Sequence, residues 1–527
     1  MNAPMTSTYD RLPYTSRSFP QTLPDRVGAI ARVFGMTPTP GGAARVLEIG
    51  SASGGNLLPM AARWPQAQFV GIDLSARQIE DGRAIVAQLG LANVELRHMN
   101  LMDVDESFGR FDYIIAHGVY SWIPPAVQDK LLAICKHNLA PQGVAYVSYN
   151  TNPGWRMRGM IRDMMVYHTR QFSDVGVRVQ QARALLDFLA RFVTTENNDP
   201  YGLLLKREVE TLRMMDDSYL AHEHLEEINE PLYFHQFAER ASSHGLQYLG
   251  EAEFNTMLAS NFPQEVADTL RNIAPNIVQM EQYMDFLRNR PFRQSLLVHQ
   301  DVALNRNLDW RCVEGLYASS PLRAESATVD LRSTATERYT VTPGGTFVTP
   351  EPIAKAAMAV LAERWPQTIA ISDLRTEARA RLAALGDPIT VVTAQDTEYV
   401  NSDMLRCFAA GLVELRLEPP SVTVAIGERP RAIALARLQA ARGNIVTNLR
   451  HELVNLDELS RQLLCHLDGE RDGAALRDAL ADLMAKEVLL IKQGDKVIRD
   501  PDEIRKVLDI ALPQSLTRLA RSGLLAA

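Results

Sequence analysis

Residues 45–56 read RVLEIGSASGGN, an apolar run that breaks abruptly into a loop of small residues. Val46, Leu47 and Ile49 suit a buried parallel strand, and the glycine-rich turn after them suits a helix start near Asn56. A turn of this kind lets the backbone approach a nucleotide-like ligand closely. Glu48 is the odd member. A carboxylate at the end of an apolar strand needs a partner to offset its desolvation.

Working outward, residues 1–24 are rich in Pro, Ser, Thr and Tyr and read as an extended arm. A helix is expected from residue 24 or 25 to about 34, with Asp25 as its cap. Downstream of the loop, strands are expected at 68–72, 94–97, 111–116 and 144–149, alternating with helices near 56–64 and 126–139 and one that carries Ile79, Ile85, Val86 and Leu89 on one face and runs to Gly90. Such alternation predicts a parallel sheet with right-handed crossovers. Between 155 and 230 the strand pattern gives way to helical periodicity, notably over 177–193 and 201–215. Strands return at 246–250 and 292–298, after a helix over 234–244. The first 304 residues therefore predict an α/β, Rossmann-like seven-stranded sheet. Residues 1–154 carry the arm and core, 155–230 form a helical insertion that lids the site or pairs subunits, and 231–304 complete the sheet. Residues 305–420 suggest an α+β, winged-helix-like unit, with strands at 328–331, 338–341 and 412–417 and helices at 352–364, 371–385 and 404–411. Residues 421–527 read as α-rich, with a short strand near 488–492.

Composition sets the class. At 527 residues, 46% hydrophobic and 22% charged, the chain is an ordinary multidomain globular protein. A net charge of −8 without a basic stripe argues against nucleic-acid binding. Cys135, Cys312, Cys407 and Cys465 are far apart, in no metal or disulfide spacing. No apolar run is long enough to cross a membrane, so a cytoplasmic protein without membrane insertion is expected.

The loop meets the G-x-G-x-x-G pattern only in part, which leaves a dinucleotide and S-adenosylmethionine both open. Acidic residues at successive strand ends separate them. A dinucleotide site uses an acid after the second strand for its ribose and gives Glu48 no task. An adenosylmethionine site uses all three: Asp73 for the ribose diol, Asp103 for the adenine amine, and Glu48 to order the loop facing the ammonium end. No pyrophosphate needs neutralising, so carboxylates are welcome around a cationic ligand.

Six stretches carry a resemblance: LEIGSASGGNLLP (47–59), FVGIDLSARQI (69–79), DYIIAHGVYSWIP (112–124), YVSYNTNPGW (146–155), HEHLEEINEPLYFHQF (222–237) and FLRNRPFRQSLLVH (286–299). The chain resembles class I S-adenosylmethionine-dependent methyltransferases with a methyltransferase regulatory domain, similar to the rickettsial-type protein-lysine methyltransferases. The resemblance implies cofactor contacts from Glu48, Gly50, Gly54, Asp73 and Asp103, with His117 and Gly118 near the sulfonium. Ser51, Asn56, Leu74 and Met102 flank these and complete the expected set. It also implies transfer to protein lysines and a homodimer. Ala52 stands where the family commonly has glycine.

The acceptor side follows from topology, because parallel sheets bind ligands beyond the carboxyl ends of their strands. The loops after strands four and five and the returning end of the insertion, 222–231, all reach that face. Tyr120 foremost, then Trp122, Tyr149 and Trp155, are candidate walls of a lysine channel, since aromatic faces attract ammonium groups. Asn150 is the candidate to orient the amine, and His222 or Glu223 to accept its proton. In the arm, Tyr14 is the candidate to close over the cofactor. His222, His224 and His235 lack a cysteine partner and no metal is expected. The competing readings are a small-molecule methyltransferase and a non-catalytic adenosylmethionine-binding protein.

Overall fold

In a computed structural model that describes residues 14–195, 199–342, 344–493 and 496–526, the decisive stretch forms β1 (Arg45–Ile49) at the centre of a seven-stranded sheet. Most of the N-terminal arm, residues 1–13, lies outside the described residues, as does Pro343. The other strands are β2 (Gln68–Asp73), β3 (Val94–His98), β4 (Phe111–Ala116), β5 (Leu139–Asn150), β6 (Leu246–Glu251) and β7 (Phe292–His299), in the order β3-β2-β1-β4-β5-β7-β6. Strands one to five pair parallel, and β7 runs antiparallel between β5 and β6. The order reverses at β1 and β4, where a parallel sheet opens a ligand crevice. Helices cover both faces, which is why strand residues such as Val46, Leu47 and Ile49 are buried without alternation.

Several elements differ from the sequence reading. β5 starts at Leu139 and runs straight through Pro141–Gly143, because Leu139 pairs with Phe111 across a register shift. Asp25 caps nothing. The helix α1 (Pro24–Val33) begins on prolyl geometry, and Asp25 instead lies fully buried between Arg63 and Arg416, at 2.7 and 3.0 Å. That triad ties α1 to a strand about 390 residues away, and the pairing offsets the desolvation of charges buried this deeply.

The insertion is four helices, Gly154–Thr169, Val175–Phe192, Pro200–Arg213 and Asp217–His224, around a small core of their own. Residues 328–331 form no strand; the three-stranded ribbon there is Arg323–Ala324, Glu337–Thr340 and Thr346–Thr349. The helix expected over 404–411 spans Ala394–Ala409, started by a Thr393–Asp396 capping box. Beyond 430 come a helix, a hairpin of Ile445–Thr447 with Leu453–Asn455, two further helices, a second short hairpin and the long helix Pro501–Arg521. No helix among the described residues is long and apolar enough to cross a membrane.

Candidate active site

The carboxyl ends of β1, β2, β4 and β5, with arm residues 14–19 over them, enclose a cavity of about 480 Å3. Cavities of that order suit cofactor-sized ligands. Its floor is the loop after β1. Gly50 holds φ +75°, and a Cβ there would stand 2.6 Å from Val119 Cγ2, so only glycine fits. Ala52 takes the left-handed conformation as well, at φ +48°. What holds it there is Asp73: Oδ2 accepts from the Ala52 amide and Oδ1 from the Ser75 amide, both at 2.8 Å. One carboxylate thus pins the glycine loop to the end of β2. A carboxylate oxygen can accept more than one hydrogen bond, so the clamp is compatible with a ribose diol.

Glu48 also turns into the cavity wall. Its Oε1 accepts from Asn56 Nδ2 at 2.8 Å, while Oε2 has no hydrogen-bond partner among the described residues. Burial pushes its carboxyl up to about 8, with the Asp73 charge adding to the rise and the Asn56 hydrogen bond opposing it. An orphaned buried carboxyl oxygen is costly unless a donor reaches it, and a nearby cation favours its ionised form. A ligand with a diol and a cationic amino-acid end meets both requirements; a pyrophosphate meets neither. The residues present fit S-adenosylmethionine.

Ten of the twelve expected cofactor residues line this cavity: Tyr14, Glu48, Gly50, Ser51, Asn56, Asp73, Leu74, Met102, His117 and Gly118. Two do not. Gly54 turns away to pack on Leu58 and Leu96, holding the turn at φ +79°. Asp103 is exposed, because the tight turn Leu101–Asp103 rotates its side chain outward, and Asn100 lines the cavity instead while capping that turn. His117 is held neutral by burial, which lowers it to about 4. Its Nδ1 lies 2.8 Å from the Tyr146 hydroxyl, and its ring lies over Phe19 at 3.8 Å between centroids. The sequence reading missed Ser16 and Phe19. Ser16 Oγ accepts from the Gly55 amide at 2.7 Å, and the Phe19 amide donates to Asn56 Oδ1 at 2.9 Å, so the arm is stitched to the loop. No local pattern marks these two residues, because their partners, Gly55 and Asn56, lie almost forty residues away.

On the acceptor side the cavity gathers Trp122, Asn150, His222 and Glu223. Trp122 packs edge-on against buried Trp155, 6.2 Å between centroids. The Asn150 amide donates to Ser121 Oγ and its side chain to Asn229 Oδ1, fixing the carboxamide at the end of β5. His222 Nδ1 lies 3.1 Å from Glu226 Oε1, and its ring 5.9 Å from that of Tyr14. Burial pushes the Glu223 carboxyl up to about 7, moderated by His222 and Arg158. Tyr14 is raised too, first by its own burial and then by the Glu223 charge, so the two sit together.

Tyr120 and Tyr149 are corrections. Both are fully buried on the far side, around Phe237: Tyr120 edge-on at 5.3 Å and Tyr149 stacked at 4.1 Å, with its hydroxyl on Ser295. They are core, not channel wall. Tyr120→Phe should therefore keep turnover within about twofold, while Tyr120→Ala should cost about 3–5 kcal/mol of stability in a denaturant melt. A large rate loss in folded Tyr120→Phe would return the residue to the site. The three histidines part company: His224 stacks beside Trp155 and His235 bonds Gln282 at 2.9 Å. Among the described residues no three His, Cys, Asp or Glu side chains group as a metal site.

Three family models match the chain: a methyltransferase domain over 46–143, a predicted methyltransferase regulatory domain over 216–299, and the PKMT C-terminal winged helix domain over 428–524. The winged-helix match falls in the segment read above as simply α-rich, not over 305–420. An uncharacterized protein of Rickettsia prowazekii is 35% identical, over 98% of this chain and 93% of that one. The structure of PKMT2 from Rickettsia typhi superposes with a TM-score of 0.86 at 32% identity, covering 98% of this chain and all of that one. A second structure of that protein, in complex with AdoHcy, matches equally well. With a full-length relative above 30% identity and this strand order, the chain belongs to the PKMT family of methyltransferases.

Proposed function

We propose that the protein is an S-adenosylmethionine-dependent methyltransferase that acts on lysine side chains of proteins. The observation that carries the reading is a single cavity shared by two kinds of wall. Glu48 and Asp73 face one half, and Trp122, Asn150 and Glu223 face the other. When bound, S-adenosylmethionine supplies a methyl group activated on a sulfonium. The chain's residues do the rest. Glu48, Asp73, Asn56 and His117 hold and orient the cofactor, and Phe19 and Tyr14 shield it from water. A lysine ammonium, with a pKa of about 10.4, must lose its proton before it can react. In this reading Glu223 attracts that ammonium and accepts the proton, Trp122 guides it by its ring face, and Asn150 orients the amine. Positioning supplies much of the acceleration in such a displacement.

Protein lysine as acceptor is supported by the PKMT naming of the family and by more than 200 residues that lie beyond the methyltransferase sheet. The exposed apolar residues of the insertion, Tyr167, Phe188, Phe192 and Met214 among them, support pairing of two copies through it. The four free cysteines support a cytoplasmic setting. Incubation with labelled S-adenosylmethionine and fractionated cell extract tests the acceptor. Label is expected on protein, mapping to lysine; label confined to small molecules would overturn the lysine reading, and none at all the enzymatic one.

A further inference from the structure

The cofactor cavity has a neighbour that its lining does not include. His451 sits at the tip of the hairpin Ile445–Thr447/Leu453–Asn455, in the winged-helix region, 2% exposed and at φ +69°. A non-glycine residue keeps that conformation only when its surroundings impose it. Here they do. Asn448 Oδ1 accepts from the Arg450 and Glu452 amides, both at 2.9 Å, and the Leu449 amide donates to Gly523 O at 2.9 Å. The turn is thereby locked to the end of the last helix.

From this turn His451 Nε2 reaches Asn56 Oδ1 at 2.7 Å, across 395 residues of sequence. Because the Phe19 amide donates to that same oxygen, it is an acceptor and Nε2 must carry the proton. The other end of Asn56 donates to Glu48 Oε1, the carboxyl whose second oxygen is orphaned in the cavity wall. Next to this chain, Ser18 Oγ and Thr447 Oγ1 lie 3.2 Å apart, joining the same hairpin to the arm that carries Phe19 over the cavity. Two independent links thus run from one hairpin to the floor and to the roof of the site.

We propose that His451 is a positioning residue for the cofactor: its N–H fixes the Asn56 carboxamide, which presents Glu48 to the cationic end of S-adenosylmethionine. The winged-helix region then completes the cofactor site rather than only adding a platform beside it. The coupling is reciprocal. Whatever fixes the hairpin tightens cofactor binding, and cofactor binding stiffens the hairpin to the same extent. A protein substrate that docks on the C-terminal region and favours this arrangement would therefore raise affinity for the methyl donor.

The inference rests on the cofactor reading above, and the experiment separates the two. S-adenosylhomocysteine is titrated calorimetrically into wild type, His451→Ala and His451→Gln, with thermal melts of the ligand-free proteins alongside. The alanine variant is expected to bind about tenfold more weakly, an ordinary coupling between sites, and the glutamine variant, which restores an N–H donor, to recover most of the loss. The apparent KM for S-adenosylmethionine should rise by the same factor, while the rate at saturation stays within about twofold. A residue that only stabilised the fold would lower the melting temperature and leave both constants alone. In wild type, saturating S-adenosylhomocysteine should slow amide exchange over 447–452, although no amide there lines the cavity. This measurement decides the case even where His451→Ala does not fold. Wild-type affinity in a folded alanine variant, or unchanged exchange in that turn, overturns the proposal. Failure of wild type to bind at all overturns the cofactor reading instead.

Discussion

Asp73→Ala is expected to weaken S-adenosylhomocysteine binding by at least a hundredfold, and Asp103→Ala by less than about threefold. The asymmetry comes from geometry, since both are carboxylates that follow neighbouring strands, Asp73 as the last residue of β2 and Asp103 in the turn beyond β3. Asp73 accepts from two backbone amides, Ala52 and Ser75, and so fixes both the loop after β1 and the start of the helix after β2. Hydrogen bonds to a charged group contribute about 1.5–3 kcal/mol each. Without the clamp, Ala52 loses the hydrogen bond that offsets its left-handed backbone, and the loop loses the shape that admits the ligand. The ribose loses its acceptor in the same step. Asp103 is exposed and points away, so its removal touches only long-range electrostatics screened by water. Titration calorimetry on the two variants measures the contrast directly. Equal losses, or a larger loss at Asp103, would show that the adenine end is bound differently from the arrangement described here.

The same pair illustrates what a sequence can carry. Strand ends are legible, because apolar runs stop abruptly where the sheet meets the crevice, and so all seven strands and Asp73 were placed from pattern alone. Side-chain phase within the connecting turns is not. Tyr149 and Asn150 are consecutive on β5, so only one of them can face the cavity, and nothing in the letters YN says which. Tyr120 and Trp122 stand two apart in a single 3-10 turn, about 120° per residue, and therefore point different ways. In both pairs the tyrosine packs into the core and its neighbour, Asn150 or Trp122, lines the cavity. Asp103 failed for the same reason. Contacts across long stretches were beyond reach altogether: Asp25 with Arg416, and Asn56 with His451, depend on where the C-terminal half docks. Asp25 read as a helix cap because a cap is the local explanation for an acid in that place; its true partners are distant. The arm went the same way, its Tyr14 visible as a candidate while the Ser16 and Phe19 contacts required the loop to be in place.

Glu223→Gln is expected to lower the methyl-transfer rate by about 10²-fold at pH 8, the usual scale for a lost general base, while making the protein more stable at that pH. The two effects have one origin. Burial raises the Glu223 carboxyl from 4.5 to about 7, so its ionised form is strained in the folded chain. The folded state holds the proton more tightly than the unfolded one between those values, and stability falls as pH rises through that window. Above it the charged carboxylate costs on the order of 1–3 kcal/mol, which glutamine does not incur. Activity runs the opposite way. Only the ionised carboxylate can accept the lysine proton, so kcat/KM should rise with pH through about 7 and level off above it. In the substrate complex the ammonium beside Glu223 favours its ionised form, so the corresponding limb of kcat should lie at lower pH. The glutamine variant should lose the limb as well as the rate. Paired pH–rate profiles and denaturant melts at pH 5 and pH 8 read both quantities. A variant that keeps the limb removes Glu223 from proton transfer. One that loses rate and stability together marks it as a packing residue, because a group strained for function must relax when its charge is taken away.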